Sequence, residues 1–573
     1  MTPSRRQFIA GAVATTSTLS FLRSLPAAAA AEGSFDPNLL PSADEMWAEI
    51  RFVNSTMGPT RLTGSPQHNA YVTYLNQQLT QILTPAGGEV FEDKFENYPR
   101  WTARSWSLGA SVDAASEPIP VSSYFPYCTG GFTGVRSALV PAASLAAPGS
   151  GGSYPAADGS TVVIIPPKSS ATGQVVNLGT FTGIGSIDWA NAVGNIAYVD
   201  FSVEAAANVI PPSTYTVDGT YDEGSLNTEP FLNPPNPTAS IFLPPDIYNA
   251  TKAGVLGVIL GWQGISNGNA EGQYNPFTVP YSSYPPSSPT GSDPAQTEGG
   301  IPTLWVTEDV GNYIKDTLAG QTVQVKIEVD ADIEQVSTST VWGILPGASY
   351  GTPDDQFLIC NTHSDGPNIA EENGGVAVFN VAAYFARLPQ DQRPKSMVFM
   401  ASTGHFSHGF LGSGRDWITQ HPQIMSSAVG CMTIEHFGCN EWEDLQQGSK
   451  LVFAPTGKLV QTQVFVTDPT FQQTTPGPAD RELLNIFDTS VNGALDRAAV
   501  LSGGVFLGEG GGFHAAGVPT IGYLPVPQYL CAVSENGEIH KLNRVHFYNQ
   551  VELTVKCLLA MQQATANQLR GGT

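Results

Sequence analysis

Apolar positions in the C-terminal half of the chain fall into two kinds of segment that alternate. Short, nearly continuous apolar runs are predicted to be buried strands: 357–362, 396–402, 428–435 and 519–526. Longer segments repeat apolar residues at helical spacing, as in 374–388, where Val376, Phe379 and Ala383 share one face, and in a closing helix over 545–566. This alternation predicts an α/β sheet with helices on both faces.

A different pattern occupies residues 118–336. Short β-branched runs alternate there with loops rich in Gly, Pro and Ser, and strands are predicted at 161–167, 195–201, 254–262, 301–307 and 322–329. Residues 274–300 form a long turn-rich loop, which is either functional or disordered. This region is therefore predicted to be a small β-rich domain with a few helices. Upstream of it, residues 35–117 begin with two predicted helices around a turn.

The N-terminus carries a targeting pattern. Ser4-Arg5-Arg6-Gln7-Phe8-Ile9 opens a weakly apolar segment, and Ala27 to Ala31 offer small-residue cleavage sites. Residues 1–31 resemble a twin-arginine signal peptide, the alternative being a basic start before a core helix. No later run approaches the roughly 18 apolar residues of a transmembrane helix. We expect an exported protein, periplasmic or extracellular, with no membrane insertion after signal removal.

Length and charge narrow the class of protein. The chain has 573 residues, so two or three domains are expected, and apolar residues at 41% are enough for large cores. The formal charge of −25 argues against nucleic acid and anionic membranes as partners, because phosphates attract Lys and Arg. The cysteines form no Cys-x-x-Cys pair, so a cysteine zinc site is not expected, and disulfide pairing stays open.

Histidines and carboxylates cluster at the predicted strand ends. Ligands bind α/β sheets at the carboxyl ends of the strands, and four consecutive segments place such residues at this edge. The chain has only nine histidines, which makes the clustering informative. The clustered residues are His363, Asp365, Glu371, Glu372, His405, Glu435, His436, Glu509 and His514. Imidazole together with carboxylate is what zinc and similar divalent metals need, so a metal site is predicted.

Individual roles follow from the local pattern. A carboxylate at a helix N-terminus, as Glu371 or Glu372 would be, is favoured by the helix dipole and could bridge two metals. Asp365 suits a role behind His363, as acceptor for the second imidazole N–H. The histidines outside the cluster are expected to be structural: His68, His408, His421, His540 and His546. The same is expected of His436, although it adjoins the site.

Several motifs occur in the order of a known family. Residues 61–79 resemble an Arg-x-x-Gly-Ser turn and helix, 405–413 keep a Leu-Gly-Ser ending, and 513–523 resemble a final motif. On these residues the chain resembles the clan MH zinc metallopeptidases of the aminopeptidase and glutamate carboxypeptidase type. The resemblance implies a mixed central sheet with helices on both faces plus a β-rich protease-associated domain. The implied layout is a signal peptide at 1–31, a helical part of the peptidase domain at 35–117, the protease-associated domain at 118–336 and the metallopeptidase-like domain at 337–573.

The resemblance also implies a site, from which this chain departs at one point. In the family two metals share a hydroxide, and a Glu-Glu pair follows the strand that corresponds to 396–402; this chain has Gly404-His405 there. The implied metal ligands, around one or two divalent ions with zinc expected, are His363, Glu371, Glu372, His405, Glu435, Glu509 and His514. The implied catalytic residues are Glu371, Glu372 and Asp365, with Glu509 a further candidate for the base.

Three functions remain open at this stage. The first is a secreted metal-dependent hydrolase of peptide or related amide bonds, an aminopeptidase or carboxypeptidase acting on a peptide or small amide substrate. The second is a metallopeptidase-like protein that has lost catalysis and serves binding or scaffolding, which the missing Glu-Glu pair favours. The third is an unrelated secreted binding protein, which the ordered motifs disfavour. The predicted 118–336 domain is expected to cover or shape the substrate cleft.

Overall fold

The structure is a computed structural model. It describes residues 34–111, 119–120, 124–126, 133–137, 152–155, 161–165, 170–183, 185–204, 247–273, 301–405, 415–460, 462–467, 478–491, 498–501 and 508–571, with single residues at 237, 245 and 506. The predicted signal peptide, the loop 274–300 and His408 lie outside these residues. In the described part of the chain, no helix combines the length and apolar character needed to cross a membrane.

Strands and helices alternate through much of the C-terminal half of the chain, as the sequence predicts. The strands are β1 Glu89–Ser111, β2 Ile119–Pro120, β3 Tyr124–Pro126, β4 Thr133–Ser137, β5 Gly152–Pro155, β6 Thr161–Ile165, β7 Ser170–Phe181, β8 Ile196–Ser202, β9 Gly257–Gln263, β10 Thr303–Val306, β11 Gln324–Leu345, β12 Phe357–His363, β13 Ser396–Ser402, β14 Ala428–Ile434, β15 Asn440–Gln447, β16 Lys450–Leu459, β17 Thr462–Thr467, β18 Ala498–Leu501 and β19 Thr520–Pro525. The helices are α1 Ala43–Thr56, α2 Pro66–Leu83, α3 Ile247–Ala253, α4 Asn267–Ala270, α5 Glu308–Tyr313, α6 Ile369–Glu372, α7 Gly374–Arg387, α8 Arg415–Gln420, α9 Pro422–Ser427, α10 Pro478–Val491, α11 Gly510–Ala515, α12 Arg544–Gln563 and α13 Ala566–Leu569.

The described strands form one mixed 14-stranded sheet and two small sheets. The main sheet runs in the order β18-β17-β19-β14-β12-β13-β11-β7-β8-β9-β10-β3, with β1 paired to β11 and β2 to β1. Strands β13, β12, β14 and β19 are parallel neighbours, so their carboxyl ends meet at one edge. The predicted α/β fold class is confirmed.

Side chains of the central strands alternate between two apolar cores. Leu358 and Cys360 of β12 belong to a core that includes residues of α1, α2, α7, α10 and α12. Ile359 belongs to a second core with Trp417 of α8 and Phe513 of α11. Successive strand residues point to opposite faces, so both faces of the sheet are covered by helices. This explains why the central strands are continuous apolar runs in the sequence.

Two glycines let α7 approach its neighbours closely. A Cβ atom on Gly374 would lie 2.0 Å from the Thr362 hydroxyl oxygen, and one on Gly375 would lie 2.4 Å from the Tyr71 hydroxyl oxygen. These distances are too short for any side chain, so glycine is required where α7 starts. The close approach brings the short helix α6, directly before α7, against the end of β12.

The region that the sequence assigns to residues 118–336 joins the same sheet through β11. Val341–Leu345 of β11 pairs with β13, whereas Gln324–Glu328 pairs with β7. The predicted boundary at 336/337 falls inside this continuous strand, opposite an irregularity in β1 between Phe95 and Tyr98. A β-bulge increases local bend and twist, so the irregularity marks the point where the ribbon passes from one half of the sheet to the other.

Apolar side chains continue the core across the same junction. Trp262 of β9 and Trp305 of β10 stack with ring centroids 4.0 Å apart. Their cluster includes Phe465 of β17, Leu524 of β19 and Phe506. The two halves of the sheet therefore share one aromatic core.

Candidate metal centre

Three strand ends carry the imidazoles of the candidate site. His363 is the last residue of β12, His405 follows three residues after β13, and Glu435 and His436 directly follow β14. These three strands are parallel neighbours, so the side chains meet at the carboxyl edge of the sheet. All four side chains are buried.

The short helix α6 brings Glu371 to the same edge. The Asn368 side-chain oxygen caps this helix by accepting the backbone N–H groups of Ala370 at 2.9 Å and Glu371 at 3.0 Å. The Asn368 amide donates in turn to the carbonyls of Leu530 at 2.9 Å and Ala532 at 2.7 Å. Asn368 therefore ties the segment that carries Glu371 to the loop after β19.

Five side chains converge, with separations between their nitrogen and oxygen atoms that suit ligands of a shared metal ion. His363 Nε2 lies 3.4 Å from Glu371 Oε2 and 3.8 Å from Glu435 Oε2. His436 Nε2 lies 3.6 Å from Glu371 Oε1 and 3.4 Å from Glu435 Oε2. His405 Nε2 lies 3.6 Å from Glu371 Oε1. Two overlapping groups could each hold an ion: His363, Glu371 and His405, or His363, Glu435 and His436.

The Nδ1 atoms of two of these imidazoles are held by backbone carbonyls. His363 donates its Nδ1–H to the Asp365 carbonyl at 2.8 Å, and His436 donates its Nδ1–H to the Pro525 carbonyl at 2.7 Å. A carbonyl can only accept, so these bonds fix the tautomer and turn both Nε2 lone pairs toward the carboxylates. Metal-binding histidines commonly have this arrangement.

The third imidazole faces a carboxylate instead. His405 Nδ1 lies 2.5 Å from Glu509 Oε1, and the other Glu509 oxygen accepts the Ser402 hydroxyl at 3.2 Å. The backbone N–H of Glu509 donates to Glu435 Oε1 at 2.9 Å. Glu509 therefore orients His405 through its side chain and Glu435 through its backbone.

Glu372 points away from this group, although it is adjacent to Glu371. Its carboxylate forms a buried ion pair with Arg61, whose guanidinium also donates to the Gly58 carbonyl. The Arg61 guanidinium carbon lies 5.4 Å from the centre of the Tyr71 ring, and the Tyr71 hydroxyl donates to the Glu372 carbonyl at 3.2 Å. Arg61 thus pairs with Glu372, whereas Glu371 faces the imidazoles.

A second asparagine connects α6 to the loop after β14. The Asn373 amide donates to the Phe437 carbonyl at 2.7 Å, and its side-chain oxygen accepts the Phe437 N–H at 2.8 Å. This pair of bonds imitates a strand ladder. It holds the turn that contains Glu435 and His436 against the segment that contains Glu371.

Burial shifts the pKa values of the group strongly. It raises the pKa of Glu371 well above its ordinary value, and three neighbouring carboxylates add to the rise. Burial also raises the pKa of Glu435 to about 7, lowers that of His405 to about 3 and lowers that of His363 well below its ordinary value. Without a metal ion, burial thus disfavours the charged form of these glutamates and histidines. A bound dication would lower the pKa of the carboxylates instead of raising it.

The structure brings together most of the residues that the sequence singles out. His363, Glu371, His405 and Glu435 converge, and Glu509 contacts His405. Three other residues have partners that differ from the expectation. The backbone carbonyl of Asp365, not its carboxylate, accepts the imidazole N–H of His363. Glu372 pairs with Arg61, and the ring of His514 stacks on Phe506 with centroids 5.2 Å apart. The Asp365 carboxylate instead accepts hydrogen bonds from the Thr63 hydroxyl and, at 3.4 Å, from the backbone N–H of His405.

Sequence reasoning placed His436 in the cluster but expected it to be structural, and did not assign it as a possible metal ligand. The available signal was its place directly after Glu435 at a predicted strand end. Its backbone has φ 61°, a left-handed conformation that is uncommon outside glycine. This turn directs the side chain back into the cluster, and sequence periodicity does not reveal it.

Comparison with known proteins locates the fold. No family model and no curated protein matches the sequence. Among solved structures, the chain is similar to an aminopeptidase from Aneurinibacillus sp. strain AM-1, with a TM-score of 0.52 and 14% identity over 90% of this chain and 93% of that one. It is also similar to a zinc aminopeptidase from Bacillus subtilis, with a TM-score of 0.51 and 12% identity over 92% of this chain and 98% of that one. The chain has the zinc-aminopeptidase fold.

A third structure agrees with this assignment. A peptidase M28 precursor from Shewanella amazonensis SB2B aligns with a TM-score of 0.53 and 12% identity over 91% of this chain and 96% of that one. At such identities the similarity concerns the fold, so the chemistry has to be argued from the side chains of this chain.

The residues at the site fit a divalent cation. Glu371 Oε2 and His436 Nε2 are buried and have no hydrogen-bond partner among the described residues. Leaving such polar atoms unpaired is unfavourable, and a cation between them would satisfy both. Imidazole nitrogen and carboxylate oxygen are zinc ligands.

Proposed function

We propose that this protein is a metal-dependent hydrolase of peptide or related amide bonds, of the aminopeptidase or carboxypeptidase type. One observation carries the proposal: three buried imidazoles from three strand ends turn their Nε2 atoms toward Glu371 and Glu435. Zinc is the expected ion. A divalent ion at such a site polarises a carbonyl and lowers the pKa of a bound water.

Glu371 is the residue that we propose for proton transfer. Its carboxylate lies beside all three imidazoles, and burial keeps bulk water from competing for the proton. Asn368 fixes the backbone from which Glu371 projects. These contacts, which set Glu371 beside the three imidazoles, support the proposed role.

The substitution of the family's Glu-Glu pair supports a second candidate function. Gly404-His405 follows β13, so this segment supplies an imidazole and no carboxylate. The alternative is a metal-binding protein of this fold that no longer hydrolyses amides and serves binding or scaffolding.

Metal analysis and turnover separate the two. We expect purified protein to contain zinc or a similar ion, to hydrolyse aminoacyl or peptidyl amides, and to lose this activity with a chelator and regain it with Zn²⁺. Glu371→Gln should bind the ion and lose turnover, while His540→Ala, at an exposed histidine outside the group, should retain both. Protein without stoichiometric metal, indifferent to chelator, would overturn the proposal. Metal-loaded protein without turnover on a broad substrate panel would select the alternative.

Location is a further part of the proposal. We propose that residues 1–31 direct export, so that the enzyme acts outside the cytoplasm on peptides. Fusion of these residues to a reporter that is active only after export tests this point. Replacing Arg5 and Arg6 by Lys should block export, and unchanged export would contradict a twin-arginine route.

A further inference from the structure

Residues 60–68, here called the N-terminal clamp, lie along the loop that follows β12. The Arg61 N–H donates to the Gly366 carbonyl at 2.9 Å, and the Gly366 N–H donates to the Arg61 carbonyl at 3.0 Å. One residue further along on each side, the Thr60 hydroxyl donates to the Pro367 carbonyl at 3.0 Å. The clamp therefore runs antiparallel to the residues that connect β12 to α6, although it lies about 300 residues earlier in the sequence.

The clamp contacts the same loop again through Thr63. The Thr63 hydroxyl donates to one carboxylate oxygen of Asp365, and the other oxygen accepts the backbone N–H of His405 at 3.4 Å. The Asp365 carboxylate thus joins the loop after His363 to the segment that carries His405. The rings of these two histidines are stacked, with centroids 4.1 Å apart and 16° between their planes. Thr63 therefore orients the group that links the segments of the two imidazoles.

His68, also in the clamp, contacts the residue directly after His363. Its Nε2 lies 3.0 Å from the Ser364 hydroxyl oxygen, and its Nδ1 accepts the Gly64 N–H at 3.0 Å. The Ser364 hydroxyl donates its only proton to the Ser402 carbonyl at 3.0 Å, so His68 is the donor to Ser364. Burial lowers the pKa of His68 to about 3, and the imidazole is therefore neutral, as this pairing requires. His68 thus joins the start of α2 to the ends of β12 and β13.

The turn before α2 is shaped so that His68 reaches this position. Gly64 has φ 68°, and a Cβ atom on it would lie 2.1 Å from Val336 Cγ2, so glycine is required. The Ser65 hydroxyl caps α2 by accepting the His68 N–H at 3.0 Å. The Gly and Ser of the Arg-x-x-Gly-Ser motif thus place His68 against the ends of the two strands.

We infer that Thr63 and His68 are positioning residues of the candidate metal centre. They act through the two residues that follow His363 and fix this imidazole relative to His405. The four side chains of the two hydrogen-bonded pairs are buried. Buried hydrogen-bond networks whose members are satisfied rigidify a structure and specify one arrangement. The effect on turnover rests on the proposed function, whereas the placement of the imidazoles can be measured with a metal ion alone.

Paired substitutions at Thr63 test the inference on full-length, chelator-stripped protein. Thr63→Val removes the hydroxyl at nearly constant shape, whereas Thr63→Ser keeps it. We expect Thr63→Val to weaken Zn²⁺ binding in calorimetry by about tenfold, the lower end of the effect of altering a partner behind a metal ligand. Its Co²⁺ complex should have an altered visible absorption spectrum, because that spectrum reports the geometry of the ligands. Thr63→Ser should restore both the affinity and the spectrum.

His68 offers a second pair of variants. Glutamine at 68 carries an amide donor in place of the Nε2–H and a carbonyl oxygen in place of the Nδ1 acceptor, whereas phenylalanine carries neither. His68→Phe should therefore reproduce the loss of Zn²⁺ affinity and the altered Co²⁺ spectrum, and His68→Gln should largely retain the wild-type values. In the proposed hydrolase, kcat should fall in Thr63→Val and His68→Phe while KM stays near the wild-type value, because neither variant removes a substrate contact.

Thr554→Val is the matched control. Thr554 is buried in α12, where its hydroxyl donates to the Gln550 carbonyl at 2.9 Å within the same helix. This variant loses a buried hydrogen bond and should be less stable, but its Zn²⁺ affinity and Co²⁺ spectrum should be unchanged. Circular dichroism establishes that each variant is folded.

Two results would overturn the inference. The first is wild-type Zn²⁺ affinity and an unchanged Co²⁺ spectrum in folded Thr63→Val and His68→Phe, which would assign both residues to folding alone. The second is an equal loss of affinity in Thr63→Ser and Thr63→Val. Reduced affinity in Thr63→Val, with a wild type that binds Zn²⁺ but does not hydrolyse amides, would keep the inference and reject the proposed function. Hydrolysis by the wild type with unchanged variants would do the reverse.

Discussion

Glu371→Gln and Glu372→Gln are adjacent substitutions that should affect stability very differently. Glu372 and Arg61 form an ion pair in which both side chains are 0% exposed. Removing one partner of a buried pair costs about 3–5 kcal/mol, because the other charge remains buried without compensation. Glutamine at 372 still accepts a hydrogen bond from the guanidinium, so we expect a loss near the lower end, about 3 kcal/mol.

Glu371→Gln removes a charge that the metal-free protein already disfavours. Burial raises the pKa of both glutamates; the Arg61 guanidinium opposes the rise at Glu372, whereas neighbouring carboxylates add to it at Glu371, so charge is the more disfavoured at Glu371. We expect a change below about 1 kcal/mol, the scale of one neutral hydrogen bond. The two variants therefore separate the glutamate that pairs with Arg61 from the one that we propose for proton transfer.

Urea unfolding in the presence of a chelator, followed by tryptophan fluorescence, measures both effects. Arg61→Met should be as destabilising as Glu372→Gln or more so. The double variant should cost less than the sum of the two by up to about 3 kcal/mol, because the charges are coupled. Wild-type stability of Glu372→Gln, or an equal loss in Glu371→Gln, would refute the assignment of Glu372 to Arg61.

Three further predictions concern the metal-free protein and the contacts around the site. The raised pKa of Glu435, about 7, makes stability fall as the pH rises from 4.5 to 7, since the folded state holds the extra proton. The lowered pKa of His405, about 3, makes stability fall as the pH drops from 6.5. The unfolding temperature should therefore be highest between about pH 4.5 and 6.5, and stability that rises steadily through pH 8 would contradict this. Asn373→Ala removes two hydrogen bonds to the Phe437 backbone and should destabilise the protein by about 2–3 kcal/mol. It should also weaken Zn²⁺ binding in calorimetry, and unchanged affinity would count against a positioning role for Asn373. Gly374→Ala should destabilise by about 1–3 kcal/mol because its Cβ would meet the Thr362 hydroxyl, and a neutral effect in urea unfolding would show that α7 can shift.

The central strands were predictable because burial on both faces gives continuous apolar runs. The prediction for 396–402 coincides with β13, and that for 428–435 differs from β14 by one residue. The continuity of β11 was not predictable. The middle of β11 is polar in sequence, which predicts a break between domains. The strand is continuous because it pairs along its length with β1, which is far away in sequence.

The candidate site was predictable to the level of the sheet edge. His363, His405 and Glu435 follow strand ends, and topology brings such positions together. The separate roles of Glu371 and Glu372 were not predictable, because the deciding partner, Arg61, lies about 300 residues earlier. Local pattern cannot supply a contact of that kind.

The paired strands β1 and β11 have a mechanical consequence. Each continues from the half of the sheet that carries the imidazoles into the half that carries Trp262 and Trp305. A rotation of one half of the sheet against the other would have to bend two hydrogen-bonded strands and open a shared aromatic core. A hinge at a flexible connection would require neither change. The two halves of the sheet are accordingly expected to keep a fixed relation to one another beside the candidate metal centre.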